Sequence, residues 1–206
     1  MKPPISDVAF TESVKAVQQR MGSRKHYERM ETAGGWENVI SKDLAGFIGD
    51  RDSFYLATAN AKGQPYIQHR GGPKGFLKVL DERTLAFADF AGNRQYITVG
   101  NLAENKQAFL FLMDYVNQTR VKIWGTAEVV DDPRLVKQLT DPAYKGKSER
   151  AIRFHVEAFD INCRQHIRPR FTQEEVEALV QPLRDRLAEL EAENKALKRS
   201  GAEPTR

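Results

Sequence analysis

The spacing of the apolar runs limits this chain more than any other feature. Between residues 53 and 162, seven β-prone runs follow one another: Ser53–Asn60, Tyr66–Arg70, Phe76–Leu80, Thr84–Phe90, Gln107–Tyr115, Arg120–Val130 and Arg150–Asn162. A parallel pair needs a crossover of about a dozen residues or more. Only the gaps after Phe90 and Val130 are that long. The spacing therefore excludes a doubly wound parallel sheet. It predicts a mainly β, α+β fold, an antiparallel sheet closed into a small barrel with helices at its ends.

Alternation within the runs sets their faces. Val121, Ile123, Gly125, Ala127 and Val129 share one face, as do Ile152, Phe154, Val156 and Ala158. Gln107–Tyr115 is nearly continuous in apolar residues, which places it inside the sheet. Ala61-Lys62-Gly63-Gln64 predicts a four- or five-residue hairpin loop. Asp132-Pro133 opens a helix to about Thr140.

Residues 84 to 105 carry the first functional signal. Leu85, Phe87 and Asp89 alternate with Ala86, Ala88 and Phe90 along a strand that breaks at Ala91-Gly92-Asn93. Tyr96, Val99, Leu102 and Ala103 then repeat at helical spacing. Asn93 is the expected N-cap, with Arg94 in the first turn. Free N–H groups and a partial positive charge at a helix start, beside an arginine fork, suit a phosphate. The candidates to hold one are Arg70, Lys74, Lys78, Asn93, Arg94 and Gln95. Pairing across the Asp81–Arg83 turn places Lys78 near Ala88. A solvated corner arginine is the bland alternative.

The flanks differ in kind. Residues 10–21 predict an amphipathic helix with Phe10, Val14, Val17 and Met21 on one face, and residues 41–49 a short second helix. The polar stretch 22–40 holds a turn at Gly34-Gly35 and a packing anchor at Trp36. At the other end, Thr172 and Glu175 form a capping box. Pro182 predicts a break there, with one helix ending near Val180 and another beginning at Pro182. Leu183, Leu187, Leu190, Asn194 and Leu197 then step at heptad spacing. The division is residues 1–50 as a helical lead-in, 51–171 as the barrel domain and 172–206 as a helical tail.

The 206 residues suffice for one domain with appendages, and a formal charge of +4 fits an anionic small ligand. No aromatic-basic signature suggests nucleic acid. The single cysteine, Cys163, excludes an intrachain disulfide and fits a reducing compartment. No apolar run spans a bilayer, and the first residues lack an apolar signal core. The expectation is a cytoplasmic protein with no membrane partner.

The segments FYLATAN, QHRGGP, FADFAGNRQY, GNLAEN and NCRQHIRPRF resemble the pyridoxamine 5′-phosphate oxidase superfamily, the FMN-binding split β-barrels, and more closely its predicted flavin-nucleotide-binding branch. The resemblance covers about residues 50 to 171. It implies a homodimer with FMN in clefts at the subunit interface, and oxidoreductase chemistry on a small molecule. Lys78 matches the family's phosphate-binding lysine. The family's arginine on that strand falls on Pro73, so Arg70 or Lys74 must substitute, or nothing does. The family's Ser-Arg-Lys is Asn93-Arg94-Gln95 here. The oxidase's pyridoxal-phosphate motif has no counterpart.

In its place stand Arg164, His166, Arg168 and Arg170. With His69 they are the candidate substrate contacts for an anionic molecule, and the alternative is a solvated or ion-paired connector. Cys163 and His166 have metal-ligand spacing but no second pair, so no metal site is expected. Trp124 faces either a flavin, a dimer contact or solvent. Gly71-Gly72 either admits a flavin ring to the backbone or only bends the chain. No catalytic acid or base is assigned. A non-catalytic flavin-binding or regulatory dimer, and a protein- or nucleic-acid-binding module, are the rival functions.

Overall fold

The structure is a computed structural model that describes residues 3–162 and 164–200. Seven strands form one antiparallel sheet: β1 (Ser53–Ala59), β2 (Pro65–Gly71), β3 (Lys78–Asp81), β4 (Thr84–Phe90), β5 (Gln107–Asp114), β6 (Thr119–Val130) and β7 (Ser148–Asn162). Their order is β2-β1-β5-β6-β7-β4-β3. The antiparallel expectation holds because each short connection can only return the chain beside its predecessor.

The sheet is rolled. Five strand spacings of roughly 4.8 Å would hold β2 and β4 about 24 Å apart in a flat sheet. Instead Arg70 Nη1 on β2 lies 2.5 Å from Asp89 Oδ1 on β4. Phe54 on β1 meets Phe87 on β4 edge-on, with ring centroids 5.1 Å apart. The alternating faces read from sequence fill the interior: Leu110, Leu112, Val121, Ile123, Ile152, Phe154 and Val156 are all buried there. Each such side chain contributes roughly 1.5–3 kcal/mol by leaving water. No ladder joins β2 to β3 or β4 among the described residues, so the barrel is split along that seam.

A bulge lets β7 follow the curve. The β6–β7 register shifts between Trp124 and Gly125, and a Cβ on Gly125 would lie 1.9 Å from the His155 carbonyl oxygen. Only glycine fits that approach. β4 is buried on both faces: Leu85 and Phe87 enter the barrel, while Ala86 and Ala88 pack with Leu139 of α5 (Pro133–Leu139). Asp132 caps α5 by accepting the Arg134 N–H at 2.9 Å, with Pro133 in the first turn as the sequence predicts.

The flanks depart from expectation. Helix α1 (Glu12–Arg20) and its C-cap leave Val14, Val17 and Met21 exposed, while Phe10 of the same predicted face packs on Tyr27 and Trp36. A further helix, α2 (Arg24–Thr32), occupies part of the polar stretch. It buries none of its own residues, so it lacks the apolar periodicity that would reveal it. Trp36 is the predicted anchor: it stacks on Trp124 at 4.6 Å and meets Phe10 at 5.1 Å. The lead-in thus covers Trp124. Helix α3 (Lys42–Gly49) sends Leu44 and Ile48 into the core.

Helix α4 (Ile97–Glu104) precedes β5, and α6 (Gln173–Ser200) ends the described chain. The predicted break at Pro182 does not occur: α6 runs through it. Pro182 removes one N–H from a helix whose neighbouring carbonyls face solvent, where water satisfies the freed acceptor. The capping box forms, with Thr172 N–H donating to Glu175 Oε2 at 2.7 Å and Glu175 N–H to Thr172 Oγ1 at 3.2 Å. Among the described residues, no helix is long and apolar enough to cross a membrane.

Candidate functional site

Three features meet at the seam of the barrel. Strand β2 points Tyr66, Gln68 and Arg70 toward it, because alternate residues share a face. Strand β4 ends there with Asp89 and Phe90. The chain then turns through residues 92–96 into the start of α4. Together they line a cleft of about 210 Å³ that also receives Glu149 of β7.

The turn does not follow the expected N-cap. Asn93 Oδ1 accepts the Gln95 N–H at 3.2 Å, a local turn ahead of the helix. The helix begins at Ile97 with Tyr96 as its N-cap, left-handed at φ 53° and offering no side-chain cap. Arg94 is also left-handed, at φ 58°. Two non-glycine residues in that region within three positions are strained, by about 1–2 kcal/mol each. Such strain clusters where a site imposes a conformation. The first N–H groups of α4 therefore remain open to an acceptor in the cleft.

Charge is arranged in layers. Asp89 is nearly buried and takes Arg70 at 2.5 Å, with Arg150 Nε at 3.9 Å from its other oxygen. Arg150 in turn pairs with Glu149 at 3.0 Å and lies 5.1 Å from the centre of the Tyr96 ring. Arg70 Nε is buried with no hydrogen-bond partner among the described residues. Arg94 is exposed, and no ion pair reaches it among the described residues. Behind this layer, Thr98 donates to Gln68 at 2.9 Å, and Asn101 donates to Thr58 at 3.0 Å. These bonds fix α4 to the β1–β2 hairpin.

Of the predicted phosphate contacts, Arg70, Asn93, Arg94 and Gln95 come together in this cleft. Lys74 and Lys78 do not. Lys74 pairs with Asp50 at 2.8 Å on the surface. Lys78 is exposed and sits opposite Ala86, the register that the Asp81–Arg83 turn gives directly, and not near Ala88. The glycine loop is a bend: Gly72 N–H donates to Asp52 O and Gly75 N–H to Arg51 O, so neither is free.

The predicted substrate contacts lie elsewhere. His69 alternates with Gln68 and Arg70 and so takes the outer face of β2, where its ring meets Tyr55 at 5.5 Å. Tyr55 belongs to a second cleft, of about 410 Å³, with Phe111, Tyr115, Arg120, His166, Arg168 and Arg170. Ile167 anchors that segment by being buried, and its carbonyl accepts from Gln118. Arg170 stacks over Tyr115 at 4.6 Å. Arg164 lies outside the cleft and is exposed. Cys163 lies outside the described residues. Among the described residues, no ion pair reaches Arg164, Arg168 or Arg170.

Sequence reasoning missed Asp89, Arg150, Gln68 and Arg120. Asp89 did carry a signal, as a carboxylate in phase with Leu85 and Phe87 on an apolar strand. Arg150 and Arg120 carried none, since each opens an alternating strand as a solvated residue would.

The architecture is thus a split antiparallel barrel whose seam holds a cleft lined by Arg70, Asp89, Arg94 and the start of α4. The chain belongs to the pyridoxamine 5′-phosphate oxidase family, whose profile matches residues 40–163. None of the curated proteins matches the chain. Among solved structures it is similar to HupZ from Group A Streptococcus, with 20% identity over 58% of this chain and 91% of that one at a TM-score of 0.48. An FMN-binding protein from Syntrophomonas wolfei has 14% identity over 75% and 98% of the two chains, at a TM-score of 0.45. HutZ, the heme storage protein from Vibrio cholerae, has 14% identity over 60% and 94%, at a TM-score of 0.39.

Proposed function

We propose that this protein binds FMN, with the phosphate in the seam cleft, and acts as an oxidoreductase on an anionic small molecule. The observation that carries the reading is the donor set at the seam. Arg94 and the uncapped start of α4 are the groups a phosphate monoester would accept from, with Arg70 held beside them by Asp89. Bound flavin supplies the electron chemistry. This chain's part is to hold and orient it. Arg94 and the α4 N–H groups would take the phosphate, and Asn93 and Gln95 would add neutral donors. Asp89 keeps Arg70 and Arg150 in place.

The cleft of about 210 Å³ is smaller than the roughly 300–1,000 Å³ of sites that enclose a ligand of this size. The second cleft faces away from it, on the outer side of the β1–β2 hairpin. One ligand can use both only if the outer cleft comes from a second chain. This supports a homodimer with flavin between the subunits. Arg120, His166 and Arg168 would then meet the far end of the cofactor or an anionic substrate beside it.

The test is the purified protein itself. It should be yellow as purified, or quench the fluorescence of added FMN saturably. NADH or NADPH should then bleach the flavin band with turnover. Saturable flavin binding without reduction would leave a flavin-binding dimer and remove the enzyme. No flavin binding, with a Soret band on hemin addition, would reject the reading.

A further inference from the structure

The continuity of α6 through Pro182 changes what its sequence means. With the helix unbroken, the heptad does not start at Leu183. Val176, Val180, Leu183, Leu187 and Leu190 fall alternately at d and a positions of one register, with Asn194 at the next a and Leu197 at the next d. Pro182 takes a c position, pointing away from the seam. The register therefore covers three heptads where a broken helix would leave about two. The 28-residue helix is about 42 Å long.

This stripe is not covered by the chain's own barrel. Val176, Leu183, Leu187 and Leu190 are exposed, and so is Leu179 at the neighbouring g position. An apolar stripe along a surface helix needs a partner. From these observations we infer that α6 pairs with α6 of a second copy of this chain as a parallel, in-register coiled coil. The inference does not depend on the flavin reading.

Charge and polarity select that occupant. In a parallel pair, Arg186 at g faces Glu191 at the partner's e, and Glu193 at g faces Lys198 at the partner's e. Both contacts are opposite in sign, and two-fold symmetry makes each of them twice. The pair between Arg186 and Glu189 within the helix, at 2.8 Å, is exposed on both sides and competes weakly. Asn194 decides the orientation. In register and parallel, it meets its own copy, and two side-chain amides satisfy each other. In an antiparallel pair it would face a leucine and bury an unpaired amide. The symmetry axis of such a pair runs along the coil. If the barrels also pair as a closed dimer, they share that axis, which puts the two copies of segment 164–170 near it.

Cross-linking of the full chain tests the pairing. In a Cys163→Ser background, Leu190→Cys places a thiol at d and Ala192→Cys places one at the outward f position. Mild oxidation should join two chains at Leu190→Cys at least about tenfold faster than at Ala192→Cys. Adding Glu193→Lys sets like charges against Lys198 at two symmetric contacts and should slow the Leu190→Cys cross-link roughly tenfold. Combining Glu193→Lys with Lys198→Glu should restore it. Equal rates at the two thiol positions, no cross-link at Leu190→Cys, or failure of the charge pair to restore the rate would each overturn the inference. The charge variants lie on an exposed helix surface and leave the barrel untouched.

Discussion

Replacing Arg94 with glutamine is the most discriminating change at the seam cleft. Glutamine keeps a Cβ, so the cost of the left-handed backbone at φ 58° is the same in both proteins. Glycine or a larger rearrangement would mix backbone relief with charge loss. Arg94 is exposed and bears no ion pair among the described residues, so its removal leaves no buried carboxylate behind. A charge-assisted hydrogen bond contributes roughly 1.5–3 kcal/mol, and exposure places this one near 1.5. FMN should therefore bind about tenfold more weakly. Riboflavin, which lacks the phosphate, should bind both proteins equally. Fluorescence titration of the apoprotein with the two ligands measures the difference. Because the contact is exposed, the FMN difference should also shrink as salt is raised toward about 0.5 M. An unchanged FMN dissociation constant, or an equal loss for riboflavin, would refute Arg94 as a phosphate contact.

Arg70→Met leaves Asp89 nearly buried with only the 3.9 Å approach of Arg150, and should destabilise the fold by about 3–5 kcal/mol; urea unfolding reads it, and a loss under about 1 kcal/mol would refute the seam pair as a structural element. Gly125→Ala should cost at least about 3 kcal/mol, since its Cβ would sit 1.9 Å from a backbone oxygen that cannot swing away; a soluble variant with wild-type melting temperature would contradict the bulge. Burial pushes the Asp114 carboxyl up, but its bonds from Asn117 and from Arg51 at 3.0 Å outweigh that and hold it below the usual range. A carboxyl lowered on folding stabilises the protein above its unfolded pKa of about 3.9 and loses that contribution as pH falls through the lowered value. Asp114→Asn should therefore flatten the acid limb of stability below about pH 5, and an unchanged limb would show that Asp114 does not titrate with folding.

Strand alternation explains why the seam cleft and the outer cationic segment separate. Residues 68, 69 and 70 are neighbours in sequence, yet strand alternation sends Gln68 and Arg70 to the seam and His69 to the opposite face. A list of cations near one another in the chain therefore merges two surfaces. The structure divides them, and only assembly of two chains can reunite them around one ligand.

The sequence by itself determined the antiparallel sheet, because connection lengths between strands forbid parallel crossovers. It determined most of the barrel's inner faces, since period-two alternation at Val121–Val129 and Ile152–Val156 is a local property of each strand; past Val156 the bulge turns Ala158 to the Trp124 side and sends Phe159 inward. The caps at Asp132 and Thr172 were legible for the same reason: they act within four residues. Tertiary structure decided the rest. Lys78 lies opposite Ala86, on the face of β4 that packs on α5 and not the one that carries Asp89, so it does not line the cleft. The partner of Arg70 was Asp89, 19 residues away and five strands across, and only the roll of the sheet brings them together. The helix of residues 24–32 buries nothing of its own, so it has no periodicity to read. Pro182 reads locally as a break, yet on an exposed helix the lost hydrogen bond goes to water and the helix continues. In each case the outcome was set by a contact or a solvent exposure that no short window of sequence contains.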